Sequence, residues 1–317
     1  MYDLDHIIHK TYQSVQMSAD PSVDRLSGIL ERFRVRAELH HTGRLCGVEH
    51  FDACDGHGYL HVLRHGDLQV SHPHAQELPR TLHLHEPTLL LYPRPLTHRF
   101  EDPPAEGADL TCARLDFDGG ACNPLARALP SLVVLPLARV SGLELALELL
   151  FAEADQARCG QRLLADRIFE VVVIQLLRWL LDHPHEAGVR PGFIAGLSDP
   201  RLARALVAIH DAPGQTWSLQ RMAECAGMSR TAFANAFRET VGQTPADYLA
   251  DWRMALARSR LRQGRPIKLL ADELGYANPS ALSRAFAARV GVSPRDWLAT
   301  VAVAGSAPPF AGRERNA

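Results

Sequence analysis

Seven polar side chains in the last third of the chain could read a nucleic acid: Arg230, Thr231, Asn235 and Arg238, then Ser280, Ser283 and Arg284. Arg and Asn can each offer two hydrogen-bonding groups to guanine or adenine in the major groove, and Arg also serves phosphate. The apolar residues between them fix which way they face. Phe233 and Phe237, like Leu282 and Phe286, are four apart, so they share one helical face and leave the polar set on the other.

These side chains sit in two copies of one unit. The stretch Leu219–Gly227 matches Ile267–Gly275 at an offset of 48, and Phe237, Gly242, Pro245, Tyr248 and Leu249 recur as Phe286, Gly291, Pro294, Trp297 and Leu298 at an offset of 49. Each copy reads as helix-turn-helix. Ala223 or Ala271 is small at the crossing point, and Gly227 or Gly275 supplies the left-handed backbone of a sharp turn. Ser229, or Asn278 followed by Pro279, then caps a second helix. A helix of that length fits the major groove with its N-terminal part at the base edges. Charge agrees. From Ser198 onward 16 basic and 10 acidic residues give +6, whereas the rest of the chain carries 18 and 26, or −8. A basic third on an acidic body suits a polyanion partner.

The duplicated unit resembles the AraC/XylS family of bacterial transcription regulators. The resemblance rests on Trp217-Ser-Leu-Gln-Arg-Met-Ala, Gly227 to Arg238 and Gly242-Gln-Thr-Pro245. Ala271-Asp-Glu-Leu-Gly-Tyr276, Ser280 to Phe286 and Gly291-Val-Ser-Pro294 carry it in the second copy. It covers Ser198 to about Thr300. It implies two helix-turn-helix subdomains joined by a long helix near Pro245–Arg262, bound to promoter DNA and acting on RNA polymerase. By motif position Thr231, Asn235, Ser280 and Arg284 face bases, while Arg230 and Arg238 hold phosphate. Thr231 and Ala234 are smaller than the residues many family members carry there.

Residues 1–136 read differently. Thirteen of the 16 histidines lie between His6 and His98. Short strands at Phe33–Leu39, Tyr59–Leu63, Asp67–Val70, Leu89–Tyr92 and Leu110–Phe117 are separated by Gly, Pro and Asp about every ten residues, the rhythm of a sandwich or barrel. The family resemblance implies a cupin-like sensor barrel here. Pro93-Arg-Pro-Leu-Thr-His98 is similar to the second cupin motif, with Pro95 in place of glycine and His98 at the metal-ligand position. The first motif is incomplete: Tyr59 stands at its glutamate and its histidine pair is absent. His61 shares strand parity with Tyr59, and Cys112 falls on the next strand. The layout resembles the subgroup that includes a reactive-chlorine-responsive regulator, with a cysteine where Cys112 falls.

His61, His98 and Cys112 are therefore the candidate sensor residues, with Cys46 as an accessory thiol. The first three could hold zinc, copper or iron, or a low-pKa thiolate could sense an oxidant. An organic effector in the barrel and a barrel with no ligand stay open beside these. His72-Pro-His74 and His83-Leu-His85 read as loop and strand-edge residues. The alternative to a regulator is a cupin metalloenzyme, dioxygenase-like, fused to a DNA-binding domain.

Between these halves, residues 137–192 read as a helical dimerisation and linker region. Leu143–Ala154 and Leu163–Leu181 have helical periodicity. In the second, Leu164, Ile168, Val172, Leu176 and Leu180, widened by Leu163, Phe169, Val173 and Leu177, form a stripe too broad to stay exposed; the barrel or a second copy must cover it. Ser198 starts the DNA-binding part (198–300) as an N-cap, and 301–317 reads as a disordered tail. The expected architecture is thus multidomain, an all-β barrel with following helices and then an all-α double helix-turn-helix. At 46% hydrophobic and 22% charged the chain has an ordinary globular composition. Six scattered cysteines with no C-x-x-C pair argue against a zinc finger. No apolar run is long enough for a membrane span, and no signal peptide is visible, so the expected location is the cytoplasm.

Overall fold

The computed structural model describes residues 23–305, except residues 46, 102–106, 141 and 157. A short helix, α1 (Ser27–Arg32), precedes nine strands: β1 (Val35–Leu45), β2 (Val48–Phe51), β3 (Gly58–His65), β4 (Leu68–Ser71), β5 (Thr81–Leu84), β6 (Thr88–Tyr92), β7 (His98–Glu101), β8 (Ala108–Phe117) and β9 (Val133–Pro136). They form two antiparallel sheets, β1-β8-β3-β6-β9 and β2-β7-β4-β5. The expected strands are present. β2, β5, β7 and β9 are additional, each only four residues long.

Parity along the strands divides two cores. Tyr59 and Leu63 of β3, Leu90 and Tyr92 of β6, and Leu110 and Cys112 of β8 pack inward with Phe51, Val70 and Phe100 of the smaller sheet. Leu60, Val62, Leu89, Leu91, Ala113 and Leu115 point the other way, into a helical layer. The central strands are therefore buried on both faces, and β6 reads Thr-Leu-Leu-Leu-Tyr without alternation.

That helical layer is α3 (Glu144–Ala154) and α4 (Gln161–Asp182); a one-turn helix, α2 (Pro124–Ala128), lies between β8 and β9. Ile168, Phe169, Val172, Val173, Leu176, Leu177 and Leu180 of α4 are buried within the chain. The wide stripe is thus covered by the protein's own sheet, not by a second copy. At the bulge in β1, the carboxylate of Asp166 on α4 accepts a hydrogen bond from the Leu39 amide at 2.6 Å, supplying a partner where the ladder is broken.

The DNA-binding half begins one helix early. α5 (Phe193–Ser198) ends at Ser198, whose hydroxyl bonds back to the Ile194 carbonyl. Asp199, not Ser198, caps α6 (Pro200–Asp211), accepting from the Arg201 and Leu202 amides with Pro200 in the first turn. Next come α7 (Leu219–Ala226), α8 (Arg230–Val241), α9 (Pro245–Arg262), α10 (Ile267–Glu273), α11 (Pro279–Val290) and α12 (Pro294–Gly305). The helix α12 enters the stretch expected to be a tail; residues 306–317 lie outside the described residues.

Candidate nucleic-acid interface and sensor interior

Each helix-turn-helix is built by the signals its sequence carries. In the first, α7 is capped by Ser218, Gly227 turns the chain at φ 64°, and Ser229 caps α8 through the Ala232 amide. In the second, Asn278 caps α11 through the Ala281 amide, with Pro279 at its start. Ala223, Ala271, Phe233, Phe237 and Phe286 are fully buried. Inward packing of these rings forces the opposite faces of α8 and α11 outward. Arg230, Thr231, Asn235 and Arg238 are exposed on α8, and Ser280 and Arg284 on α11. Ser283 is half-buried and donates its hydroxyl proton to the Pro279 carbonyl at 2.9 Å, so its hydroxyl proton is engaged within its own helix.

The two units are held at a fixed attitude. Arg253 on α9 donates to the Pro213 carbonyl at 2.8 Å and the Gln215 carbonyl at 3.0 Å, and lies over the Tyr276 ring. Beside it Gly275, at φ +73°, meets the loop at Gly214 so closely that a Cβ there would fall 2.3 Å from the Gly214 carbonyl oxygen. No other residue fits that turn without moving the loop.

In the N-terminal half, His61 and His98 converge. Their Nε2 atoms are 3.0 Å apart and both rings are fully buried. His98 Nδ1 lies 2.8 Å from the Leu96 carbonyl, so it carries the proton and donates. His98 Nε2 is then an acceptor, His61 Nε2 donates to it, and His61 Nδ1 is left bare; it has no partner among the described residues. Burial holds both imidazoles neutral, pushing His98 down to about 4 and His61 well below the usual histidine range. Tyr92 stacks on His98 at 4.0 Å, Phe51 stacks on its other side at 4.6 Å, and Phe100 packs against His61 at 4.6 Å. Aromatic rings fill the centre of the barrel.

Cys112 shares the inner face with His61, its direct partner across β3 and β8. Burial pushes its thiol far above the usual cysteine range, so it is held protonated. That is the reverse of the electropositive, partly open setting that makes a thiol reactive. The expected three-ligand metal set does not fit either. Among the described residues no group of three His, Cys, Asp or Glu is placed to hold a metal ion. Two of the expected donors are spent on each other, and the third is a buried thiol that would have to ionise. Cys46 lies outside the described residues.

Sequence reasoning also passed over His72. It is fully buried, with Nδ1 2.8 Å from the Pro79 carbonyl and Nε2 2.9 Å from the Tyr92 hydroxyl. The alternation Leu68, Val70, His72 already points it inward. His74, His83 and His85 are at the surface as expected; His85 pairs with Asp67.

Comparison with known proteins agrees with this geometry. A family model described as Cupin matches residues 24–182. The chain belongs to the cupin family. A second model, described as a helix-turn-helix domain, matches residues 222–300 behind the cupin domain. A protein of Streptomyces antibioticus named as a putative AraC-like transcription regulator is 34% identical over 172 residues, 53% of this chain and 56% of its own length. A similar protein of Streptomyces lividans is 37% identical over 137 residues, 43% of this chain and 44% of that one. The cupin protein thus spans about half the length of these two relatives. The RCS-specific activator RclR of Escherichia coli is 24% identical over 242 residues, 75% of this chain and 82% of RclR. The DNA-binding domain of AdpA, solved with a target DNA, is similar at 25% identity and a TM-score of 0.30, over 32% of this chain and 93% of that one. Cupin and helix-turn-helix together make this chain AraC-type in build. Among the described residues no helix is long and apolar enough to cross a membrane.

Proposed function

We propose that the protein is a sequence-specific DNA-binding transcriptional regulator of the AraC type, acting in the cytoplasm on promoter DNA and RNA polymerase. The carrying observation is the pair of exposed polar faces on α8 and α11, each backed by a buried Phe pair or Leu–Phe pair and set by its own cap. The names of the relatives support it. Arg230 and Arg284 make no hydrogen bond or ion pair among the described residues, so both guanidinium groups are available to DNA. The cupin half controls this binding in response to an effector. A dioxygenase reading has less support, because the barrel interior assembles no three-donor metal site among the described residues.

The test is a gel shift of the full chain on promoter fragments over a range of salt. Binding that prefers one fragment and falls steeply with salt supports the reading. Salt-independent or absent binding overturns it.

The active form is a homodimer joined through the outer faces of α3 and α4. Leu145, Leu149, Leu163, Leu164 and Val171 are exposed there, five of the nine exposed large apolar residues among those described. Leu145 and Leu149 are one turn apart and share a face, and such a cluster marks an interaction surface.

A further inference from the structure

The barrel is packed with its own rings, but a cavity of about 460 Å³ lies between the two halves of the molecule. That is within the range of small-molecule sites. Its wall comes from α2, the segment leading into α5, one side of α9 and the end of α11. Every part of the protein that would have to move during regulation therefore touches it.

The lining has a definite chemistry. Pro124, Phe193, Met254 and Val290 form apolar wall. Arg289, also in the wall, is neutralised by Asp247 and Asp251 at 2.8 and 2.5 Å. Arg127 and Arg258 have no carboxylate within ion-pair distance among the described residues, which leaves two positive charges uncompensated. Two donors in wall residues are also buried without partners, Nε of Arg258 and the indole N–H of Trp252. Buried donors are rarely left unpaired, and an acceptor that reaches them binds strongly.

We propose that this cavity binds a small organic anion, a carboxylate or phosphate monoester on an apolar body. The planar guanidinium fork matches either head group, and the apolar wall takes the body. Bound there, the anion contacts the cupin half through Arg127 and the DNA-binding half through Arg258. It favours whichever placement of the two halves brings those arginines together. Binding itself is independent of the DNA-binding reading; the regulatory consequence rests on it.

The test uses the full chain in calorimetric titrations with octyl phosphate, octanoate and octanol. The expected result is one site for at least one anion, with octanol at least tenfold weaker. The double variant Arg127→Gln, Arg258→Gln should lose at least tenfold in affinity while keeping its melting temperature. Ala255→Phe, which fills the cavity, should lose binding as well. Failure of both anions to bind, equal binding of octanol, or unchanged affinity in the double variant overturns the site. Gel shifts with saturating octyl phosphate or octanoate then read the coupling. A changed DNA affinity that the double variant abolishes supports it, and an unchanged one overturns it.

Discussion

His61 donates the hydrogen bond that joins it to His98, and that bond exists only while both rings are neutral. Protonation of His98 would leave two N–H groups facing each other across 3.0 Å in a shell of aromatic rings. His210, buried against Trp252 at 4.0 Å and bonded to the Tyr248 hydroxyl, is in the same position; burial pushes it down to about 3. All three have folded-state pKa values below the usual 6.5. Their contribution to stability is thus complete above about pH 6.5 and is lost as pH falls toward 4 and then 3. Urea unfolding midpoints should drop across that window. A midpoint that stays flat from pH 7 to pH 4.5 would contradict the burial of these rings.

Thiol chemistry should sort by burial. Cys54 and Cys159 are exposed and Cys112 is buried. A disulfide reagent should label the first two in the native protein and reach Cys112 only after denaturation. Mass spectrometry of labelled peptides checks this, and rapid native labelling of Cys112 would restore it as an oxidant sensor.

On DNA, Arg284→Ala should cost about 1–3 kcal/mol and relax specificity at one base pair. Arg238→Ala should weaken binding to all sequences alike and flatten the salt dependence. Competition assays against single-base variants of the operator separate the two outcomes.

The dimer face and the core face of the helical layer should respond oppositely to charge. Leu145→Asp with Leu149→Asp should give a folded monomer in light scattering. Ile168→Asp should unfold the cupin half, since it places a charge among buried side chains. A Leu145/Leu149 variant that stays dimeric would move the interface elsewhere.

Gly275→Ala should destabilise the second helix-turn-helix by about 1 kcal/mol or more, from the left-handed backbone and the contact with Gly214 together. Thermal unfolding measures it.

The DNA-binding half was legible because its signals are local. Caps, turn glycines and inward Phe pairs act within a few residues and appear twice. The cupin half was harder to read for two physical reasons. β3 and β6 are covered on both faces, which erases the alternation that marks a strand. Strand parity placed His61 and Cys112 on the inner face, yet parity says nothing of how tightly that face is packed, and packing decides thiol ionisation and metal access. The cavity was invisible in sequence, since it joins Arg127 to residues more than 100 positions away. The one-residue error at Ser198 came from two adjacent residues that can each cap a helix; Pro200 decides between them.

Arg253 and the Gly214–Gly275 contact give the two recognition helices the character of a rigid ruler. A ruler does not adapt to what it measures. With one turn of DNA advancing about 34 Å, inserting half a turn between the two half-sites would carry the second to the far side of the duplex, where α11 cannot follow. Operators of this protein should therefore tolerate base changes in the spacer far better than changes in its length.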